Sequence, residues 1–284
     1  MKKNMLIVFC TVSAMLPNLS CKKETNTSNI KAVFSYVADG FKVNFTDYSS
    51  NAKEYKWDFG DNDTSNAANP IHVYHSKGDF LTTLTIRNGQ ETSTFTDTVF
   101  ISGPNIKIDD DFSDWTYVEY SSVNEGGSGG SLLGVKTFAS GGSLNFYIEG
   151  TEDLNFAIMD IYLDTDNDPA TGFQNSSYPV GSGADYLLEG SVPGEWGDVF
   201  IHTGPDNGDW SWDPISDFAS TIKFSAIKDA DGKKAIEFSI KRDGLGVLKN
   251  YVNFAIQEST EGYSVIGSVP VPDLETSAFG QIKL

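Results

Sequence analysis

Cationic side chains are scarce in this chain. Its 284 residues hold 20 Lys+Arg against 39 Asp+Glu, a formal net charge of −19. Such a surface repels polyanions, which argues against nucleic acid and anionic membrane as partners. It suits a neutral ligand, a cation or plain solubility. Cysteine is nearly absent, with Cys10 and Cys21 alone, so no disulfide framework is available. The histidines are His72, His75 and His202, and none belongs to a nucleophile or zinc motif. No Gly-x-Ser-x-Gly, His-Glu-x-x-His, P-loop or dinucleotide fingerprint occurs. No segment carries a convincing amphipathic helical period; residues 242–250 read as one helical turn. What the chain has in quantity is apolar and aromatic surface, 39% and 13%, enough for the cores of two domains.

The N-terminus reads as an export signal. Lys2 and Lys3 precede an apolar run from Met5 to Leu16, which is too short to span a bilayer. Cys10 falls inside that run, leaving Cys21 without a disulfide partner. The stretch "NLSC" resembles the lipobox of bacterial lipoproteins, with Asn18 departing from the usual aliphatic residue. The "KKE" after it resembles the charged surface-export signal of Bacteroidota lipoproteins. The resemblance implies a signal peptide over 1–20, lipidation at Cys21, a polar tether over 21–30 and an outer-membrane anchor facing the cell exterior. On this reading the lipid is the protein's one contact with the membrane. An ordinary secretory signal is the alternative.

From Lys31 the chain alternates apolar and polar residues around a turn at Asp39-Gly40, as in a β-hairpin. Then come Trp57-Asp58-Phe59-Gly60-Asp61-Asn62, then Pro70, His72 and Tyr74, then Gly78, Phe80, Thr82 and Leu84. In order and spacing these blocks resemble the PKD repeat, which implies an immunoglobulin-like sandwich over 31–103. Asn62 stands where that family has glycine, a position asparagine tolerates at positive φ. Trp57 and Phe59 share one face of a strand and are expected in the core. "GDND" raises a secondary possibility of calcium.

A Gly-Pro junction at Gly103-Pro104 separates this from a larger domain over 104–284. About ten further strand-like segments with Gly- and Asp-rich turns indicate an antiparallel β-sandwich or jelly roll. The expected fold class is therefore all-β throughout. "IKIDDDFSDW", "IYLDTDNDPATGFQ" and "GADYLLEG" resemble sandwich domains related to family 9 carbohydrate-binding modules, with Asp110 replacing a usual glycine. The resemblance implies a glycan-binding sandwich.

Two constellations in this domain carry chemistry. Asp164, Asp166 and Asp168 present hard oxygens at alternate positions, and Asp185 follows on the next strand. This donor set suits structural calcium, or else a turn capped by its own carboxylates. In "GDWSWDP", Trp210 and Trp212 are expected on one face of an extended chain. With Trp196, Tyr178 and Asp209 they form the candidate sugar contacts, rings for stacking and polar groups for hydroxyls. The competing reading places the Trp pair inward as core. Three function classes follow: a non-catalytic surface lipoprotein that captures polysaccharide for an outer-membrane glycan importer, an adhesion or structural module, and an unrecognised polysaccharide lyase or glycosidase. The Glu-x-Asp-x-x-Glu strand of jelly-roll glucanases is missing, which favours a non-catalytic role, although a pair of carboxylates alone suffices for a glycosidase.

Overall fold

A computed structural model describes residues 29–273 and 275–284. The expected signal over 1–20, the lipidation point at Cys21 and most of the tether lie outside the described residues. What is described is all-β, with helix limited to isolated single turns. Residues 242–250 form an irregular turn and no helix; the one α-helical turn is Phe218–Thr221, capped where Asp217 Oδ1 accepts from Ser220 N at 2.8 Å.

The first sandwich runs through β1 (Phe34–Asp39), β2 (Lys42–Asp47), β3 (Glu54–Asp58), β4 (Thr64–Ser65), β5 (Ile71–Val73), β6 (Gly78–Asn88) and β7 (Glu91–Ile101). Its sheets are ordered β1-β2-β5 and β4-β3-β6-β7. Alternation sends Val43, Phe45, Trp57, Leu84, Ile86 and Val99 inward, where all are buried. Trp57 keeps its polar edge satisfied by donating to Ala67 O at 2.8 Å. Gly60 lies at φ +83°, and a Cβ there would come within 2.9 Å of Leu81 O, so the turn after β3 requires glycine. Asp61 Oδ2 meets His72 Nε2 at 2.6 Å while His72 stacks on Phe59 at 4.0 Å. The "GDND" turn is thus tied into the fold by its own histidine.

The second sandwich contains β8 (Tyr120–Val123), β9 (Leu132–Ala139), β10 (Ser143–Gly150), β11 (Ile158–Asp164), β12 (Tyr186–Ser191), β13 (Trp196–His202), β14 (Trp212–Asp217), β15 (Ile222–Phe224), β16 (Lys228–Ala230), β17 (Lys233–Lys241), β18 (Tyr251–Ser259), β19 (Val265–Val269) and β20 (Gly280–Lys283). One sheet is ordered β15-β17-β10-β9-β8, with β16 on β17; the other is β14-β13-β12-β11-β18-β19, with β20 on β18. Between them lies the core, where Phe146 stacks on Phe238 at 4.8 Å and meets Phe254 edge-on at 5.6 Å. Two fully buried glutamates fasten loops to this frame. Glu237 accepts from Asp109 N, Asp110 N and Trp115 Nε1 at 3.0, 3.1 and 2.9 Å. Glu258 accepts from Asn155 N and Phe156 N at 2.8 and 2.6 Å, and from the Ser131 hydroxyl. Asp110 takes φ +71° beside Glu237, a backbone conformation that glycine adopts without strain.

The domains are joined by packing as well as by peptide. Phe41 of the first meets Phe138 of β9 edge-on at 6.1 Å, and Lys77 Nζ donates to Ala139 O at 2.7 Å. Gly103 sits beneath them at φ +81°, where a Cβ would lie 2.5 Å from the Phe138 ring. The Gly-Pro junction is therefore a packed corner. Phe138 and Tyr147 face outward from the sheet containing β9 and β10, and Trp115 stacks on Tyr147 at 5.9 Å. One outer face of the second sandwich is occupied by this joint. The other is the place to look for a site.

Candidate functional site

That second outer face belongs to the sheet of β11, β12, β13 and β18. Met159, Ile161, Leu163, Leu188, Val199, Phe254 and Ile256 point into the sandwich core. Strict alternation then sends Asp160, Tyr162, Leu187, Glu189, Asp198, Phe200 and Gln257 outward. Part of this face is roofed by the loops after β11 and β19, whose Tyr178, Ala184 and Phe279 pack on Tyr162, Leu187 and Ala255.

Tyr178 belongs to that roof. It is fully buried, donates from Oη to Pro270 O at 2.7 Å and packs on Phe279 at 5.3 Å. The expected ligand contact at Tyr178 is corrected: burial under the roof leaves its ring no open face.

The tryptophans of "GDWSWDP" are neighbours but meet edge to face and form no single flat platform. Trp210 lies in the loop, while Trp212 opens β14 opposite His202. Their rings are 5.7 Å apart at 74°, and both meet Phe173 edge-on, at 5.1 and 5.7 Å. Trp212 is half-buried and its Nε1 is sealed off with no hydrogen-bond partner among the described residues. Trp210 is 59% exposed. Trp212 is thus partly packed inward, while Trp210 keeps its ring open to solvent. Asp209 serves through its backbone: its carbonyl meets His202 Nε2 at 2.8 Å and its amide donates to Asp206 O at 3.1 Å. Beside the pair opens a cavity of about 260 Å³ lined by Leu187, Glu189, Phe200, Trp210 and Trp212.

Trp196 stands apart. It begins β13, whereas Trp212 pairs at the far end of that strand, a separation of roughly 20 Å at strand rise. It is 47% exposed and borders a different cavity, of about 540 Å³, with Phe218, Ile222 and Phe224.

Two residues of this face escaped the sequence reading. Asp160 lies directly opposite Glu189 across β11 and β12. Only 8% of Asp160 is exposed, and its Oδ1 has no hydrogen-bond partner among the described residues. Burial first, then the neighbouring Glu189 charge, pushes the Asp160 carboxyl well above the ordinary carboxylate range. Burial also raises Glu189. The signal was present as one acid inside each of the apolar stretches "AIMDIYL" and "YLLEG".

The acidic loop closes on itself. Asp164, Asp166 and Asp185 bring one oxygen each within 4.8 Å of the others. Asp168 does not join them; it is exposed and accepts from Ala170 N at 3.0 Å. Asp164 is buried and accepts from Asn167 N and Asn253 Nδ2 at 2.7 and 2.8 Å. Burial, with the charges of Asp185 and Asp166, still pushes it up to about 6. Asp185 Oδ2 accepts from Thr165 N and Thr165 Oγ1, each at 2.7 Å. The three carboxylates form an all-oxygen set fit for a hard cation, and they cap the turn at the same time.

By fold the protein is an all-β chain of two successive sandwiches, the second presenting an aromatic- and carboxylate-lined face. Its first sandwich belongs to the PKD domain family, matched over residues 31–102. It is similar to the PKD1 domain of the metalloprotease PrtV from Vibrio cholerae, at 30% identity over 25% of this chain and 95% of that one, with a TM-score of 0.25. The PKD1 domain of Epp from Vibrio anguillarum is similar at 29% identity over 26% and 93% of the two chains, with a TM-score of 0.25. The chain is also similar to a family 9 carbohydrate-binding module from Caldicellulosiruptor kristjanssonii in complex with cellotriose, at 15% identity over 63% of this chain and 86% of that one, TM-score 0.37. No curated protein matches the chain.

Proposed function

We propose that this chain is a non-catalytic glycan-binding protein whose second domain holds a sugar against Trp210. The observation that carries the reading is an exposed indole at the rim of a cavity that also contains a carboxylate, Glu189. Sugars combine weakly polarised C–H faces with a rim of hydroxyls. A flat amphipathic ring beside a hydrogen-bonding group matches both. Trp196, in its own cavity, is a second contact point too remote to share the same ring.

The cellular setting is a lipoprotein acylated at Cys21, held at the outer membrane with its domains outside the cell, delivering polysaccharide to an importer. Support for this is the lone cysteine after the apolar run. Cys21→Ala is expected to move the protein into the soluble fraction; continued partition with membranes refutes the anchor. Calcium, held by Asp164, Asp166 and Asp185, has a structural role in this reading.

One observation favours a second reading, hydrolysis. Asp160 and Glu189 are paired carboxyls raised from their usual range, as acid catalysts often are. Their geometry speaks against it. The two side chains are close enough to hydrogen-bond to each other, whereas glycosidase carboxyls stand about 5–9.5 Å apart across the scissile bond. A glycan array separates the classes. Retention of a polysaccharide without new reducing ends supports binding, while release of new ends transfers the reading to a hydrolase.

A further inference from the structure

Cations are the scarce charge of this chain, so a place where they gather unpaired is informative. Four of its 20 Lys+Arg line two cavities that meet at the turn between β9 and β10. One, of about 330 Å³, holds Lys77 from just before β6 and Lys283 from the end of β20. The other, of about 540 Å³, holds Lys241 and Arg242 at the end of β17. Gly141 and Gly142 line it too, and a Cβ on either would meet nothing within 4 Å. Lys77 Nζ lies 4.6 Å over the Phe138 ring while donating to Ala139 O. Arg242 Nη1 donates to the next carbonyl, Ser140 O, at 2.9 Å. None of the four cations forms an ion pair among the described residues. The other titratable side chains of the two linings are Asp243 and His75, and His75 is taken by Glu119 at 3.2 Å. Burial, then the charges of Arg242 and Lys283, holds the Lys77 ammonium below the ordinary lysine range. Like charges are crowded here with no counter-charge from the chain.

We propose that the two cavities form one anion-binding cleft, which takes sugar chains bearing carboxylate or sulfate groups. Calling the ligand a sugar rests on the glycan-binding reading; the cation cluster stands without it. The cleft shares no lining residue with the cavity beside Trp210, so it is a second site. An oxyanion supplies the missing counter-charge. With Nη1 of Arg242 engaged on Ser140 O, the rest of its planar fork matches a carboxylate or sulfate edge. Lys77 and Lys283 add ammonium donors in the neighbouring cavity, which suits charges repeated along a chain better than a lone ion. The net charge of −19 chooses between anion sources. A flat anionic membrane meets the whole negative surface, whereas a slender chain entering the cleft meets its cations. Lys77 belongs to the first sandwich and Arg242 and Lys283 to the second, so the ligand bridges the two.

The test is calorimetry on the full chain at low salt, with hexagalacturonate and dextran sulfate as acidic probes. The methyl ester of hexagalacturonate and plain dextran are the same chains without charge. At least one acidic probe should bind, about tenfold or more tighter than its uncharged form, and lose affinity as sodium chloride rises. Arg242→Gln and Lys283→Gln should each weaken it about tenfold, as for a lost hydrogen bond to a charged group. Lys283 is exposed, so its variant keeps the test open if Arg242→Gln melts early. Lys56→Gln, exposed on β3, should change nothing; an equal loss there reduces the effect to net charge and overturns the cleft. Equal affinity for charged and uncharged chains, or no binding of either acidic probe, also overturns it. Cellohexaose still held through Trp210 in that case leaves the glycan reading standing. Acidic probes held through Arg242 and Lys283 while cellohexaose fails keep the cleft and remove the site at Trp210. Capture by phosphatidylglycerol vesicles through Arg242 and Lys283, with both acidic sugars ignored, moves the anion to a membrane and overturns the sugar assignment.

Discussion

The second domain buries carboxylates in two contrasting ways. Glu237 and Glu258 collect backbone amides and a side-chain donor apiece, and each thereby fastens a loop to the sandwich. Asp160 and Glu189 meet each other across two strands, and Asp160 Oδ1 has no donor. The same domain that saturates two buried acids with N–H groups gives a third another carboxyl as its partner. With both groups ionised, such a pair costs free energy. Departures from local consistency tend to fall at functional sites. Here the departure lies on the outward face beside the exposed tryptophan.

The contrast is open to breaking. Glu258→Ala removes the acceptor for Asn155 N, Phe156 N and Ser131 Oγ, each orphaned donor costing about 1–3 kcal/mol. A loss of about 3 kcal/mol or more in urea denaturation is expected, and a loss under about 1 kcal/mol ends the distinction. The tryptophans follow. Trp212→Ala is expected to cost about 2 kcal/mol of stability as a half-buried ring. Trp210→Ala should leave melting almost unchanged and cost about 1–3 kcal/mol of glycan affinity, by analogy with stacking on nucleobases. The reverse assignment exchanges their roles.

Calcium at about a hundredfold excess over its Kd is expected to add ~2.7 kcal/mol to the folded state. Asp185→Asn should abolish that gain and Asp168→Asn should not. Identical melting in EDTA and in calcium reduces the loop to turn capping.

The smallest effect is a pH slope. Asp160 and Glu189 both lie above their ordinary values in the folded chain. The folded state therefore binds more protons than the unfolded one. Their contribution is complete below the usual carboxylate range near pH 4. It is lost as pH rises towards neutrality and through the raised values. Asp160→Asn should remove this part of the slope in pH-dependent denaturation, and an unchanged slope places its origin elsewhere.

The parts of the fold legible in the sequence are those governed by neighbours along the chain. Trp57 and Phe59 alternate with Asp58 at the end of β3, and period two alone sends them inward. Asn62 at φ +80° obeys local turn chemistry in the same way. The site was less legible because register assembles it. Asp160 meets Glu189 through a pairing that joins positions 29 residues apart. Trp210 and Trp212 both rest edge-on against Phe173, a contact that their own spacing does not announce. Tyr178 looks like a loop aromatic until Phe279, about a hundred positions later, closes over it.

The corner between the sandwiches has a mechanical consequence. Phe41 on Phe138, Lys77 on Ala139 O and the tight fit at Gly103 clamp the first domain to the sheet containing β9. The cavity beside Trp210 lies on the opposite sheet, so the first domain works as a stiff stem mounted on the back of the head. Load passes from stem to head through packed side chains, with no slack hinge to let the head swing round and hide its tryptophan against its own support.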